Sequence, residues 1–583
     1  MKLFHLLRLY RWHDILVVLM LVILLAACNL PSSGLIQDDD HPDSTTATFT
    51  PFPLDTQEVQ VTGVSESPQQ PTNTPEPLAL WVAPYLPEQL TRWLSIPEGI
   101  QQMDDPNEAN MHLMVGDGYP VSHWVYALVA PFPTILDGVS SDDVLRSWQG
   151  TPSSPFGNLP ILVDAGTLEI FTAKWGEPAP EAVKILPTAE MLEYAWDERP
   201  AWAIVPFENL EPRWKVLEVG GISPIRKEFQ PEGYALTVTL TLDGEVSLVE
   251  NFINQVSEDD QALLGLPAAN RDDGKLTTVA MTGVTALVRA TAYTMELRGL
   301  LYPAEDVGPI LREADLTHIS NDIPFYPDCP SPNPGQPDLR FCSDPSYIAL
   351  MDEIGTDIVE LTGDHFHDYG PEAMRYTLDL YEQRGWVYYG GGYNLEDGRQ
   401  ARTIEHNGNK FAFIGCNGKG GGYATATDTN PGSVSCDFPW MHAEISRLTD
   451  EGYNVITTFQ HFEYYSYLIQ PILMTDFRGV AEAGAVIVSG SQAHQPHGME
   501  FYEGSFLHYG LGNLFFDQYQ FCNYFMCDDT FIDRHVFYEG RYISTELITL
   551  KFVDYARPRL MTQNEREQIL SSVFQASIWD HEK

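Results

Sequence analysis

Between about residues 275 and 490, short apolar runs alternate with amphipathic helical patterns, and most of the apolar runs stop where a polar cluster begins. Such alternation confines a chain to the α/β class with open sheets. It predicts strands over 277–281, 316–319, 357–361, 387–389, 455–459 and 485–489. Helices are expected over 286–298, 307–314, 345–354, 372–384, 441–450 and 477–483. Ligands of open α/β sheets collect at the carboxyl ends of strands, and five polar segments stand there. They are Met281-Thr282-Gly283-Val284, Ser320-Asn321-Asp322, the run from Gly363 to Gly370, Gln460-His461-Phe462-Glu463, and the run from Gly490 to His497. Carboxylates and imidazoles together suit a divalent cation such as Mn, Fe, Zn or Mg. A lone histidine is more often structural, but several, each after a different strand, point to a shared site.

The region upstream also alternates. Strands are expected at 79–83, 125–130, 159–163, 201–206 and 235–242, with a short helix over 87–94. The segment Ala130-Pro131-Phe132-Pro133-Thr134, then Ser140 to Leu145 and Trp148-Gln149-Gly150, loosely resembles periplasmic solute-binding proteins. A ligand cleft and a spacer or partner-docking role both stand open here.

The first residues decide the expected compartment. Lys2, Arg8 and Arg11 precede an apolar run over 15–27, too short for a membrane span of about 20 residues and of the right length for a signal-peptide core. It ends in Leu25-Ala26-Ala27-Cys28, which resembles a bacterial lipobox. That resemblance implies cleavage before Cys28, lipidation of Cys28 and attachment to the outer face of the cell membrane; the alternative is an uncleaved anchor. Residues 28–78, rich in Thr, Ser, Pro and Asp, read as a disordered tether. The expected divisions are 1–27, 28–78, 79–270 and 271–583, in keeping with the several domains expected of 583 residues.

Six cysteines remain in an oxidising compartment. Proximity suggests Cys329–Cys342, Cys416–Cys436 and Cys522–Cys527 among the possible pairings, with a zinc cluster as the rival reading. The net charge of −48 and the lack of a Lys/Arg cluster argue against a nucleic-acid partner. Lys419, flanked by Gly418, Gly420, Gly421 and Gly422, does not have the order of a phosphate-binding P-loop and reads as a flexible loop. Asp368 and Tyr369 read as a helix cap. The run from Glu463 to Tyr467 reads as packed or surface aromatics, with a sugar-stacking rim as the alternative.

One resemblance ties the clusters together. The run Asp357 to His365 with Asp368-Tyr369-Gly370, the run Ala483 to Val488 before the His-rich loop, and Tyr509-Gly510-Leu511-Gly512-Asn513-Leu514-Phe515 are similar, in order and spacing, to blocks of the CapA family of capsule or poly-γ-glutamate synthesis proteins. The resemblance implies an αββα sandwich of calcineurin-like metallophosphoesterase type over 271–583, with metals at its strand ends. It further implies Asp322, Asp364, His461, Gln492 and His494 at metal-ligand positions, and His365 as a ligand or acid/base. Arg289 would contact an anionic group of the substrate. Two positions depart from the pattern: Val284 cannot ligate a metal and Gln492 is a poor ligand, so one ion is expected rather than two. His367 and His497 are possible substitutes that the family pattern does not place. The expected function is that of a lipid-anchored envelope protein of capsule or poly-γ-glutamate synthesis or export, acting by metal-dependent hydrolysis or transfer. The alternative is a non-catalytic protein that binds a polymer or glycan at a degraded site. Expected partners are the membrane, an anionic polymer or glycan, and capsule synthesis or export proteins.

Overall fold

The computed structural model describes residues 77–257, 263–420, 422–518 and 528–579. The expectations for Cys28, for the tether up to residue 76 and for the pair Cys522 and Cys527 lie outside the described residues.

From residue 276 onward two sheets face each other. The first runs in the order Val387–Tyr389, Ile358–Glu360, Leu316–Asn321, Leu276–Thr282, Asp529–Tyr538, Arg541–Val553 and Arg557–Leu560. Its first four strands are parallel, whereas Asp529–Tyr538 pairs antiparallel with Leu276–Thr282. The second sheet runs Arg402–His406, Asn409–Asn417, Asn454–Gln460, Ala485–Ser489, Ser505–His508 and Met499–Tyr502. Strands covered on both faces read as continuous apolar runs, and both Leu276–Thr282 and Asn454–Gln460 are buried throughout.

Between the sheets the rings of Tyr389 and Phe413 lie 5.7 Å apart and those of Phe411 and Phe537 4.8 Å apart. Outside the first sheet, helices Arg289–Arg298, Ile348–Glu353 and Gly370–Arg384 bury Met295, Leu350, Met351, Met374, Leu378 and Tyr381 against Ile319, Val359 and Leu361. Outside the second, Phe438–Asp450 and Pro471–Glu482 bury Met441, Ile445, Phe477 and Val480 against Ile414, Val455 and Val488. The layers are therefore helix, sheet, sheet, helix.

Residues 78–244 supply a further mixed sheet. Its main path is Ile100–Met103, Leu78–Val82, Met111–Val115, Thr237–Gly244, Tyr119–Pro131, Trp202–Pro206, Ile161–Val163 and Val183–Ile185. Helix Ser141–Trp148 begins with a reciprocal capping box between Ser140 and Asp143. The core is continuous from this sheet into the sandwich. Phe132 packs against Phe501, Phe506, Phe574 and Trp579, with ring centroids 5.2 to 6.5 Å apart. Two of the expected disulfides are formed, Cys329–Cys342 and Cys416–Cys436. Among the described residues no helix is long and apolar enough to cross a membrane.

Candidate metal centre

At the carboxyl ends of strands Leu316–Asn321 and Ile358–Glu360 the chain brings together Asp322, Asp364 and His365, one ligand atom from each lying within 4.8 Å of the others. Asp322 is held by its backbone N–H, which donates to the Thr285 carbonyl at 3.0 Å. Its Oδ1 is buried and has no hydrogen-bond partner. Burial pushes its carboxyl well above the usual carboxylate range, which the neighbouring His365 only partly offsets. The turn carrying Asp364 passes so close that a Cβ on Gly363 would collide with the Asp322 side chain and backbone, which explains a glycine there.

Asp364 is more fully partnered. Its Oδ1 accepts from Gln460 Nε2 at 2.5 Å and its Oδ2 from Lys419 Nζ at 2.9 Å. Burial alone would raise its pKa, but the Lys419 ammonium and then His365 bring it below the ordinary value. His365 Nδ1 lies 2.7 Å from Asp368 Oδ2, leaving Nε2 for the cluster, and its ring packs 4.8 Å from that of Phe341. Burial lowers its pKa, yet Asp368, Asp322 and Asp364 outweigh burial and raise it to about 9. Asp368, expected as a helix cap, instead orients His365 and accepts the Phe341 N–H at 2.8 Å. Helix Gly370–Arg384 starts after Tyr369 with no side-chain cap.

Lys419 and Glu463 complete the arrangement; sequence reasoning read Lys419 as part of a flexible loop and gave Glu463 a place in a strand-end segment but no ligand or catalytic role. Lys419 Nζ lies 3.2 Å from Glu463 Oε1, and its side chain is only 7% exposed. Both carboxylates outweigh burial in raising its pKa. Its loop is pinned: Lys419 N–H donates to Asn417 Oδ1 at 2.9 Å, and Asn417 Nδ2 donates to Gln460 Oε1 at 2.6 Å and to the Thr362 carbonyl at 2.9 Å. The available signal was position, since the loop follows the carboxyl end of strand Asn409–Asn417, where the other clusters also stand.

The remaining expected residues are distributed unevenly. His494 joins the edge of the cluster, with Nε2 3.6 Å from Glu463 Oε1 and Nδ1 2.8 Å from Asn513 Oδ1; burial lowers its pKa. His461 turns toward helix Pro471–Glu482, with Nε2 3.0 Å from Asp476 Oδ2. Successive residues of an extended segment point opposite ways, so placing Gln460 against Asp364 sends His461 outward. Gln492 is buried between Ser491, which donates to Glu360, and His494; neither amide atom has a partner. Val284 lies in an apolar cluster with Ala286, Val288, Ile323, Phe341 and Phe516. Arg289 is buried and paired with Asp517, its Nε at 3.0 Å and its second terminal nitrogen at 2.9 Å from Oδ1, between the rings of Phe341 and Phe516. Asp517 Oδ2 also accepts the Ala290 N–H at 2.8 Å. Arg289 has φ +45°, a left-handed conformation that costs a side-chain-bearing residue about 1–2 kcal/mol. These contacts suit a residue fixing the start of the helix rather than one reaching for substrate. His497 Nδ1 lies 2.6 Å from the Ser466 carbonyl.

Comparison with known proteins agrees with the CapA resemblance. Residues 240–518 match the family model described as bacterial capsule synthesis protein PGA_cap. The capsule biosynthesis protein CapA of Bacillus anthracis is 24% identical over 257 residues, 43% of this chain and 62% of that protein. The PGA biosynthesis protein CapA of Bacillus subtilis is 22% identical over 215 residues, 36% of this chain and 56% of that protein. The chain thus spans less than two thirds of either relative. Among solved structures, the NAD nucleotidase of Haemophilus influenzae aligns over 53% of this chain and 57% of its own at 8% identity. Its TM-score of 0.28 is too low to bear on fold or function.

Proposed function

We propose, from the match of residues 240–518 to the bacterial capsule synthesis protein family model, that this chain is a lipid-anchored envelope protein of capsule or poly-γ-glutamate synthesis or export. In this reading it holds an anionic group of a polymer or glycan at a single divalent cation. The observation that carries the reading is the convergence of Asp322, Asp364 and His365, with a buried Asp322 oxygen that lacks a partner. A buried carboxylate oxygen without a hydrogen bond is costly, and a cation would satisfy it. Asp322, Asp364 and His365 Nε2 would hold the ion, which would polarise a phosphoryl or carboxyl oxygen of the bound group.

A second ion fits poorly. Val284 offers no ligand atom and lies among apolar side chains, while His461 faces Asp476. A net charge of −48 would repel an acidic polymer at long range, but salt screens this beyond about 10 Å at 0.1 M.

Hydrolysis is the second reading, favoured by the Asp368–His365 pair at 2.7 Å. A carboxylate holding Nδ1 fixes the ring and presents Nε2 for proton transfer, the arrangement of a general acid/base. Metal analysis of the purified chain, with p-nitrophenyl phosphodiester turnover in the presence and absence of Mn²⁺, separates the two readings. Stoichiometric metal lost in Asp322→Asn, with no turnover, is the expected result. Metal-dependent turnover abolished by His365→Ala would establish the hydrolase, and no bound metal would remove the cation from both.

A further inference from the structure

Two exposed aromatic rings stand beside the cluster. Tyr423 is 43% and Phe462 51% exposed. Their centroids lie 6.3 Å apart with the ring planes at 86°, so the pair forms a corner rather than a stack. Both belong to loops of the centre: Tyr423 follows Lys419 in its loop, and Phe462 directly precedes Glu463. Lys419 Nζ links the two places, donating to Asp364 Oδ2 at 2.9 Å and standing 5.6 Å from the centre of the Tyr423 ring. The corner is held in place. Gly418 lies against the His461 ring, which a Cβ would approach to 2.6 Å, so the two loops pack side by side. Tyr423 N–H donates to the Gly420 carbonyl at 3.0 Å, and the next residue, Ala424, is buried. Glu463 is 29% exposed and is steadied by Tyr465, whose hydroxyl donates to Oε2 at 2.9 Å.

Single exposed apolar side chains are ordinary. Two that meet at a right angle, beside a carboxylate and a candidate cation centre, form a recess with a chemical preference. Aromatic faces are covered best by a flat apolar surface. A pyranose has one: a face of C–H groups, edged by hydroxyls that can donate to a carboxylate. A poly-γ-glutamate chain has no such face, and its carboxylates would meet Glu463 with like charge.

We infer that Tyr423 and Phe462 are a shelf for a sugar ring, so that the centre takes a glycan unit bearing a phosphate or carboxylate rather than poly-γ-glutamate. The C–H face of the sugar covers an aromatic ring, a hydroxyl donates to Glu463, and the anionic group lies on the ion. This names the substrate class of the reading given above and rests on that reading for the anionic group; the stacking of the sugar does not need the ion.

The test is calorimetric titration of the full chain in Mn²⁺ with glucose 1-phosphate and with glucuronate. Inorganic phosphate and acetate serve as the ringless controls, and tri-γ-glutamate as the rival. At least one sugar probe is expected to bind about tenfold more tightly than its control. Phe462→Leu/Tyr423→Leu keeps an apolar side chain at both exposed positions but removes the flat faces, and should bring that ratio close to one. Tyr423→Phe should keep it. A ratio near one for both sugars in the unaltered chain overturns the inference, as does the absence of binding by either sugar or a ratio that survives the double leucine variant. Tri-γ-glutamate binding more tightly than both sugars, and weakened by the same variant, also overturns it. Repeating the titrations in EDTA separates the two readings. A sugar preference that is sensitive to the leucine variant and unchanged by EDTA sinks the cation and leaves the shelf standing. Phosphate binding that requires Mn²⁺, with no sugar preference, does the reverse.

Discussion

Two side chains at the centre are exposed to test by the company they keep. Val284 sits in an apolar cluster, at a position where the CapA resemblance implies a metal ligand. Val284→Asp is expected to destabilise the chain by about 2–4 kcal/mol, because a carboxylate placed there would be desolvated among apolar side chains. Urea unfolding measures this. Arg289 is held by Asp517, whose side chain is 2% exposed. Arg289→Met should cost about 3–5 kcal/mol by leaving a buried carboxylate unpaired, and Arg289→Met/Asp517→Asn should recover part of it. A single variant of native stability would instead return Arg289 to a role with substrate. At this scale the sequence revealed which residue types stand at strand ends, but not which way each one turns. His461 and Gln460 are neighbours, and pleating alone decides that Gln460 meets Asp364. Lys419 was illegible for another reason. Its partners are 55 and 44 residues away in the chain, and nothing local distinguishes it from a solvated lysine in a glycine-rich loop.

Most elements around the centre were readable because each carries one clear periodicity. The strands expected at 387–389 and 485–489 have those bounds, and the helix expected over 372–384 begins two residues earlier, at Gly370. The antiparallel meander of Asp529–Tyr538, Arg541–Val553 and Arg557–Leu560 went unread. Asp529–Tyr538 is buried along its whole length, so it includes charged residues such as Asp533 and Arg534 at buried positions and shows no polar–apolar alternation. Asp533 is met by His508 at 2.6 Å and Arg534 by Glu546 at 2.6 Å, partners that only the fold supplies. The disulfide Cys416–Cys436 spans 20 residues and brackets the loop that carries Lys419. Replacing both cysteines by alanine should cost about 3 kcal/mol through the freed loop entropy, read as a lower urea midpoint. Faster backbone hydrogen exchange should be concentrated in 417–435.

Across the molecule, the sheet of residues 78–244 and the sandwich are joined by charge as well as by aromatic rings. Arg566 in the last helix grips Asp137 through two bonds of 2.6 and 2.7 Å, and Lys215 reaches the same carboxylate at 2.8 Å. Burial raises the Asp137 pKa, but the Arg566 bonds and the Lys215 charge outweigh it and bring the group down to about 2. A carboxylate depressed in the folded state contributes stability that is present above its unfolded value of about 3.9 and is lost as pH falls toward 2. Asp137→Asn should therefore flatten the acid limb of the stability profile between about pH 4 and 2. At neutral pH it should cost about 1–2 kcal/mol, a modest figure because the carboxylate is 42% exposed and water screens it. Unfolding midpoints of both proteins from pH 2 to 7 provide the check. The packing of Phe132 against Phe501, Phe506, Phe574 and Trp579 reaches further than any one bond. Cutting the polypeptide near residue 270 would leave that aromatic seam open to water on both fragments, so neither half is a transferable module, and the two should melt together.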